Sequence, residues 1–421
     1  MGEFQGSGYR EPPHLVSRGD GQLVRLPLLL YSVVRHLVDR DETTGGPQER
    51  EALLSAVATG VSRDTDIELA PEHISYLLDK KLAPLGVTTF SDGTAPNLIK
   101  PSPFLALKFK VAVIPEKATW AIAGMFLWLF HPFALFLVLT TALASEVWLL
   151  SSQDIAAALQ LTLISPSSVL LVLLMAMMSA AFHEFGHATA CRYGGVAPGP
   201  MGFGIYLVWP AFYTDITNSY RLNRAGRLRA DLGGVYFNAI VVVILGMLYT
   251  WTEFPPFLVC ILAVNLEIMQ QLLPTLRFDG YYIVADLVGV PDLFRYIGPI
   301  LKRTFLRRPA DQRLSLLKRW PQIVVSTWVI VVIPGIAIQL AMFSTQVPVI
   351  LQNIWISIQV LAIQATGGSG YPILGVITSA LQILILLIPV AGLILLAWLA
   401  LRGGFRMVRA RYWQYAARHA R

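Results

Sequence analysis

The chain has 421 residues, of which 55% are hydrophobic and only 14% are charged. A soluble globular protein carries about 25% charged residues, so this composition excludes an ordinary soluble enzyme and favours a protein with membrane spans. The net charge of +7 comes from Lys and Arg spread over loops beside apolar segments, a pattern that favours lipid headgroups over a nucleic-acid partner.

Residues 1–95 form the first predicted domain, and their composition is that of a soluble protein. Its N-terminus lacks a basic stretch followed by an apolar one, so we expect no secretory signal peptide. The pattern predicts a small α+β domain. Its expected elements are a strand at 21–26, helices at 26–39, 47–60 and 71–84, and a strand at 87–90 with a turn at 91–93.

Residues 96–127 are predicted to be a linker that reaches the membrane surface. Prolines interrupt its first part, and lysines alternate with apolar side chains further on. Phe104, Leu107 and Phe109 could lie on the bilayer while the lysines meet anionic headgroups.

Residues 128–403 are predicted to form the transmembrane domain. We expect about six spanning helices, and treat the stretch 346–366, which contains Gln352 and Asn353, as interfacial or re-entrant. The predicted spans are 128–150, 165–190, 230–251, 256–275, 321–343 and 373–401.

The basic residues predict the orientation of these spans. Segments 145–165, 250–256 and 344–373 contain no Lys or Arg, whereas the other loops and the tail 404–421 are rich in Arg. The positive-inside rule therefore places both termini in the cytoplasm. We expect a multi-pass protein of the bacterial plasma membrane.

The motif His183-Glu184-Phe185-Gly186-His187 ends the second predicted span, after an uncharged run from Ile155 to Phe182. Two histidines at positions i and i+4 lie on one face of a helix and can bind one Zn²⁺. Ionisable groups inside a membrane segment are costly and are usually functional. The sequence therefore predicts one zinc ion per chain at the cytoplasmic end of this span.

A catalytic zinc site needs a third protein ligand. We predict Asp279, because the fourth span ends near it at the same depth in the membrane. We expect Pro274 and Gly280 to unwind the end of that helix, so that the Asp279 side chain can turn toward the metal. Glu267 is the strongest rival, although pairing with polar groups of neighbouring helices suits it better. The other competing carboxylates are Asp215, Asp231 and Asp286.

Glu184 is the predicted catalytic residue. It would accept a proton from zinc-bound water attacking a peptide carbonyl and deliver it to the leaving amine. Two roles remain open for Gly186. Its lack of a side chain could let a substrate backbone approach closely, or it could serve only the packing of two helices.

These motifs resemble the site-2 protease family of intramembrane zinc metalloproteases, and most closely the bacterial peptide metalloproteases that carry an N-terminal winged-helix-like domain. The resemblance rests on the His-Glu-x-x-His helix and on the later Asp279-Gly280, preceded by Leu-Leu-Pro. It implies a three-helix catalytic core. It also implies that Gly233, Gly234 and Asn238 of the intervening span bind substrate, although Gly-Gly replaces the family's more usual Gly-Pro.

The segment 203–215 is rich in glycine and aromatic residues and is expected to form a hairpin or re-entrant loop. In the family such an element can pair with an unwound substrate segment. An equally open alternative is a surface loop that is anchored in the membrane by its aromatic side chains.

The first domain resembles small winged-helix domains that recognise leader peptides of ribosomal precursor peptides. Two alternatives remain open for it, a structural or regulatory domain and a DNA-binding domain. Lys80 and Lys81 support the DNA-binding reading only weakly, because nucleic-acid binding needs a denser basic face.

The sequence thus predicts a zinc-dependent intramembrane endopeptidase that acts near the cytoplasmic face. Its expected partners are the lipid bilayer, a peptide or membrane-protein substrate and a leader peptide at the first domain. The alternative is a membrane peptide-binding or transport scaffold that keeps the metal site without proteolysis; the presence of Glu184 argues against it. The sequence gives no indication of oligomeric state.

Overall fold

The structure is a computed structural model. It describes residues 2–19, 22–38, 47–90, 92, 94–96, 107–206, 209–307, 309 and 311–366, with isolated helical positions between 376 and 402. Most of the predicted span 373–401 and all of the tail 404–421 lie outside the described residues.

Helices account for most of the described chain. They are α1 (Leu28–Val38), α2 (Pro47–Thr65), α3 (Pro71–Leu77), α4 (Glu116–Met125), α5 (Pro132–Ser152), α6 (Ile155–Ile164), α7 (Pro166–Tyr193), α8 (Arg224–Thr252), α9 (Pro255–Leu272), α10 (Asp279–Val288), α11 (Ile297–Leu306), α12 (Gln312–Ser315) and α13 (Arg319–Thr366).

Two antiparallel sheets occur within the described residues. One pairs β1 (His14–Ser17) with β2 (Leu23–Leu26). The other has the order β3-β4-β5, with β3 (Lys108–Ile114), β4 (Met201–Tyr206) and β5 (Trp209–Thr214). The hairpin expected at 203–215 is therefore present, and β3 joins it from the segment predicted to be a linker.

The chain divides into two compact units, and the first consists of Met1–Pro103, Thr217–Arg229 and Tyr282–Ile333. In its N-terminal part the β1–β2 hairpin and helices α1–α3 share one apolar core. Helix α1 contributes Val33, helix α2 contributes Val57, and Ile74 and Leu82 complete the core from the third helical stretch. These elements agree with the predicted α+β content, while the winged-helix assignment stays a prediction.

The predicted strand at 87–90 is not formed. The helical stretch that starts at Pro71 continues through a π-helical turn to Leu82 and a 3₁₀ turn at Ala83–Leu85. Gly86 then takes a left-handed conformation, with φ of 72°, which ends the helix as a C-terminal glycine commonly does. Residues 87–90 follow as bends and irregular chain.

The second unit consists of Phe104–Ile216, Ala230–Tyr281 and Pro334–Arg421. Within the described residues of the whole chain, five helical segments are long and apolar enough to cross a membrane, which fits a polytopic helical membrane protein. They are Pro132–Ser152, Ser167–Tyr193, Arg224–Thr252, Pro255–Leu272 and Arg319–Val349. The stretch 346–366, expected to be a separate interfacial segment, continues helix α13.

The uncharged run that precedes the His-Glu motif is divided into two helices. Asp154 caps α6 by accepting a hydrogen bond from the Ala157 amide at 2.9 Å, and α6 ends at Ile164. Helix α7 then begins at Pro166, a residue that suits the first turn because that position needs no amide donor. The spanning helix of the motif is consequently α7 alone.

Helix α1 offers a matched test of the core in the first unit. Val33 is fully buried, whereas Val38 is 77% exposed. We expect Val33→Ala to lower the free energy of unfolding by about 2 kcal/mol, because it removes buried methyl groups, and Val38→Ala to leave it unchanged. The urea dependence of proteolysis of this region in the full-length protein measures both, and equal effects would contradict the described core.

Candidate metal centre

Helix α7 places the two motif histidines on one face near its C-terminal end. His183 and His187 are 2% and 5% exposed, and their Nε2 atoms are 3.0 Å apart. The spacing of four residues is what brings the rings together, because residues i and i+4 are neighbours on a helix surface. Two basic nitrogen atoms therefore face each other in a buried position.

Asp279 completes the cluster from a different helix. Its Oδ2 atom lies 3.1 Å from His183 Nε2 and 3.4 Å from His187 Nε2. Among the described residues, these three side chains lie close enough to one another to hold a metal ion.

The local structure around Asp279 differs from the expectation that a helix end unwinds at Pro274 and Gly280. Helix α9 already ends at Leu272, before the proline, and Asp279 is the first residue of α10. Gly280 lies against the end of α9, where a Cβ atom would collide with the carbonyl oxygen of Leu272. The glycine thus permits close packing of α10 on α9, which brings Asp279 to the histidines.

The distances within the cluster fit a zinc ion. Zinc binds histidine nitrogen and carboxylate oxygen at about 2.0–2.2 Å in tetrahedral geometry, so its ligand atoms lie about 3.3 Å from one another. The observed separations of 3.0, 3.1 and 3.4 Å agree with that value. In addition, Asp279 Oδ2 is buried and receives no hydrogen bond from the described residues. A bound cation would satisfy this oxygen.

A backbone carbonyl orients one of the histidines. The Nδ1 atom of His187 lies 2.7 Å from the carbonyl oxygen of Ala230 in α8, which only accepts hydrogen bonds. Nδ1 must therefore carry a proton, and Nε2 is the ring nitrogen that faces the cluster. Sequence reasoning missed Ala230, because a backbone group leaves no side-chain signal.

Electrostatics favour the ionised form of the Asp279 carboxyl group. Burial alone would raise the pKa of its carboxyl group, but the neighbouring His187 and His183 lower that pKa below its ordinary value. The group is then a carboxylate at neutral pH, which is the form of a carboxyl group that can bind zinc.

Glu184 lies next to His183 in the chain and is half-buried. It is close enough to His187 to interact electrostatically with it. Its backbone carbonyl accepts a 3.0 Å hydrogen bond from the hydroxyl of Thr214, the last residue of β5. The second residue that sequence reasoning missed is thus Thr214, which ties the sheet to the motif.

Glu267 is the rival carboxylate that interacts with the cluster. It interacts electrostatically with His183, Glu184 and Asp279 and faces the Asn238 amide. Two other rivals have different partners: Asp286 pairs with Arg227 at 2.9 Å, and the backbone of Asp215 pairs with the 199–200 backbone. Asp231 is buried in α8.

Helix α8 carries the three residues predicted to bind substrate. Asn238 is fully buried, and its Oδ1 atom accepts a 3.4 Å hydrogen bond from Ser179 of α7. Gly233 lies against Gly186, and Gly234 lies against the imidazole ring of His183. Their role in substrate binding stays a prediction.

Comparison with known proteins gave one curated relative. The chain is 23% identical over 129 residues to the protein named "Putative peptide zinc metalloprotease protein YydH" of Bacillus subtilis (strain 168). The match covers 30% of this chain and 51% of that protein, about half of its length. No family model and no solved structure matches.

The geometry predicts which side chains are needed to bind zinc. We expect His183→Ala, His187→Ala and Asp279→Ala each to reduce the zinc content of the purified protein to a small fraction of one ion per chain, because each removes a ligand. Asp286→Ala is the control, since its carboxylate pairs with Arg227. Elemental analysis measures the zinc. Undiminished zinc in Asp279→Ala would transfer the third-ligand role to Glu267.

Proposed function

We propose that this protein is a zinc-dependent endopeptidase of the intramembrane site-2 protease type. The observation that carries the proposal is the convergence of His183, His187 and Asp279 beside Glu184, at the end of a helix apolar enough to cross a membrane. The partial similarity to a protein named as a peptide zinc metalloprotease supports the same chemistry.

His183, His187 and Asp279 would hold the zinc ion, leaving a fourth position open. When bound, the ion would polarise a carbonyl group and acidify a water molecule. Glu184 accepts a proton from water as the water oxygen attacks the peptide carbonyl carbon. It then passes the proton to the amine that leaves when the C–N bond breaks.

Strand β5 offers a way to present a substrate. In the described sheet β5 pairs on one side only, with β4, so its other edge is not paired with a strand of that sheet. Thr214, at the end of β5, is hydrogen-bonded to the Glu184 carbonyl, so this strand ends at the catalytic motif. An extended peptide could add to that edge through main-chain hydrogen bonds. Because a helix hides its peptide bonds, a spanning substrate would have to unwind first.

The substrate class is a further part of the proposal, and an edge strand beside the motif would suit an extended peptide. We propose a membrane-associated segment or a ribosomal precursor peptide, cleaved near the cytoplasmic face of a bacterial plasma membrane. Both termini of the protease would be cytoplasmic, as the Arg and Lys distribution predicts. The N-terminal domain would then bind the leader of such a precursor, and no nucleic acid would be involved.

The experiment that tests peptidase activity removes the proposed base and keeps the metal. We expect Glu184→Gln to lower kcat by about 10²–10⁴-fold, because general-base catalysis contributes about that factor, while zinc content stays at the wild-type level. Cleavage of quenched fluorescent peptides and of a membrane-anchored reporter by the purified protein in proteoliposomes provides the rate. Metal analysis of the same samples is the control.

If wild type and Glu184→Gln cleave equally, the proposed mechanism fails. If neither cleaves any peptide although zinc is bound, the non-proteolytic scaffold becomes the better description.

Asn238 gives a second prediction, for substrate binding. We expect Asn238→Ala to raise KM by roughly tenfold, about 1.4 kcal/mol, if its amide donates to a substrate carbonyl, with zinc content unchanged. Ser179→Ala is the matched control, because it removes the partner of Asn238 in α7 but leaves the amide donor in place. Peptide cleavage kinetics decide; an unchanged KM would leave Asn238 with a structural role.

A further inference from the structure

We propose that Gly186, Gly233 and Gly234 are positioning residues, which set the metal-binding histidines by allowing helices α7 and α8 to touch. The inference rests on the metal centre of the proposed function. It gives Gly233 and Gly234 the role of positioning a metal-binding histidine, whereas the family resemblance implies that they contact the substrate.

The first observation is a backbone-to-backbone contact. A Cβ atom built on Gly186 would collide with the carbonyl group of Gly233, and one built on Gly233 would collide with the carbonyl group of Gly186. Neither obstacle is the end of a flexible side chain, so neither can swing away. The two helices therefore meet at a separation that only glycine permits at both positions.

The second observation concerns the ring of His183. A Cβ atom on Gly234 would overlap the Nε2, Cε1 and Cδ2 atoms of that imidazole. The ring thus lies directly on the α8 backbone, with its Nε2 atom turned toward Asp279 and His187. A methyl group at position 234 would push the ring out of this place.

The two histidines are held by different means. His187 donates to the Ala230 carbonyl through Nδ1, whereas Nδ1 of His183 is buried and has no hydrogen-bond partner among the described residues. A zinc-binding histidine is usually oriented by a hydrogen bond from its other nitrogen. For His183, close packing on Gly234 takes over that orienting role, so the ring position depends on the absence of a side chain.

The same contact connects both histidines to α8. Ala230 lies three residues before Gly233, about one helical turn, so the Gly186–Gly233 contact sets the distance between the Ala230 carbonyl and His187 as well. One segment of α8, from Ala230 to Gly234, consequently orients both nitrogen ligands.

The test compares three glycine-to-alanine variants of α8 in the full-length protein. Gly234→Ala and Gly233→Ala place the methyl group at the contact. Gly246→Ala is the matched control, because its Cβ would meet nothing nearer than the Ser145 hydroxyl oxygen at 3.6 Å. Alanine favours a helix over glycine at all three positions, so propensity alone would stabilise each variant.

We expect zinc affinity, measured by competition with a chromophoric chelator in detergent, to fall about 10–100-fold in Gly234→Ala, the range typical when an orienting partner of a ligand is lost. Gly246→Ala should bind zinc as the wild type does. The absorption spectrum of the cobalt-substituted protein should change in Gly234→Ala, because it reports the ligand geometry, and helix content by circular dichroism should stay the same.

A double-mutant cycle covers the case in which Gly234→Ala folds poorly. If the methyl group collides with the imidazole, Gly234→Ala should lower the thermal midpoint of the metal-free protein more in the wild type than in His183→Ala. Equal shifts in both backgrounds would overturn the proposal.

Unchanged zinc affinity in Gly234→Ala would also overturn it, and a raised KM in that variant would then favour the substrate-binding role. These measurements use no substrate, apart from the KM comparison. A wild-type protein that binds zinc and cleaves nothing would refute the proposed peptidase while leaving this inference standing.

Discussion

The approach of α8 to α7 is the constraint on which the candidate site depends. Gly186 and Gly233 bring the two backbones into direct contact, and the segment of α8 around this point supplies the Ala230 carbonyl to His187 and a flat surface to His183. In an apolar surrounding, such packing substitutes for a hydrophobic driving force between helices. The placement of the two imidazole rings is therefore a result of helix packing, and not of the motif alone.

Burial gives the site its second constraint. Two histidines, Asp279 and Glu184 are gathered at the end of a helix that is otherwise apolar, where unpaired charge is expensive. The two imidazole rings and the carboxylate face one another, and a divalent cation would satisfy the buried oxygen of Asp279 that receives no hydrogen bond from the described residues. The clustering of these side chains is therefore what a bound cation would favour, and Glu184 and the end of β5 lie beside the same cluster.

Much of the architecture could be read from the chain because its signals are local. Apolar stretches predicted the four spans from 128 to 275, and the corresponding helical segments begin between one and six residues from the expected positions. The glycine- and aromatic-rich segment 203–215 was expected to form a hairpin or a re-entrant loop, and it forms the β4–β5 hairpin. The predicted strand at 87–90 is not formed, because the helical stretch continues to Leu85 and ends in a left-handed turn at Gly86. Strand β3, within the expected linker, is held in a sheet by β4, which lies far from it in the sequence. Local propensity does not reveal such a partner.

The sequence by itself determined the chemistry of the candidate site, because His183, Glu184 and His187 are fixed by their spacing on one helix. It also singled out Asp279, through its place after the fourth span. Only the tertiary structure decided how α10 presents Asp279, with Gly280 packed on the end of α9, and that the glycines of α8 touch the motif. The physical reason is that a glycine in the sequence shows only that no side chain is present. Which atoms occupy the space beside it depends on residues that are distant in the sequence.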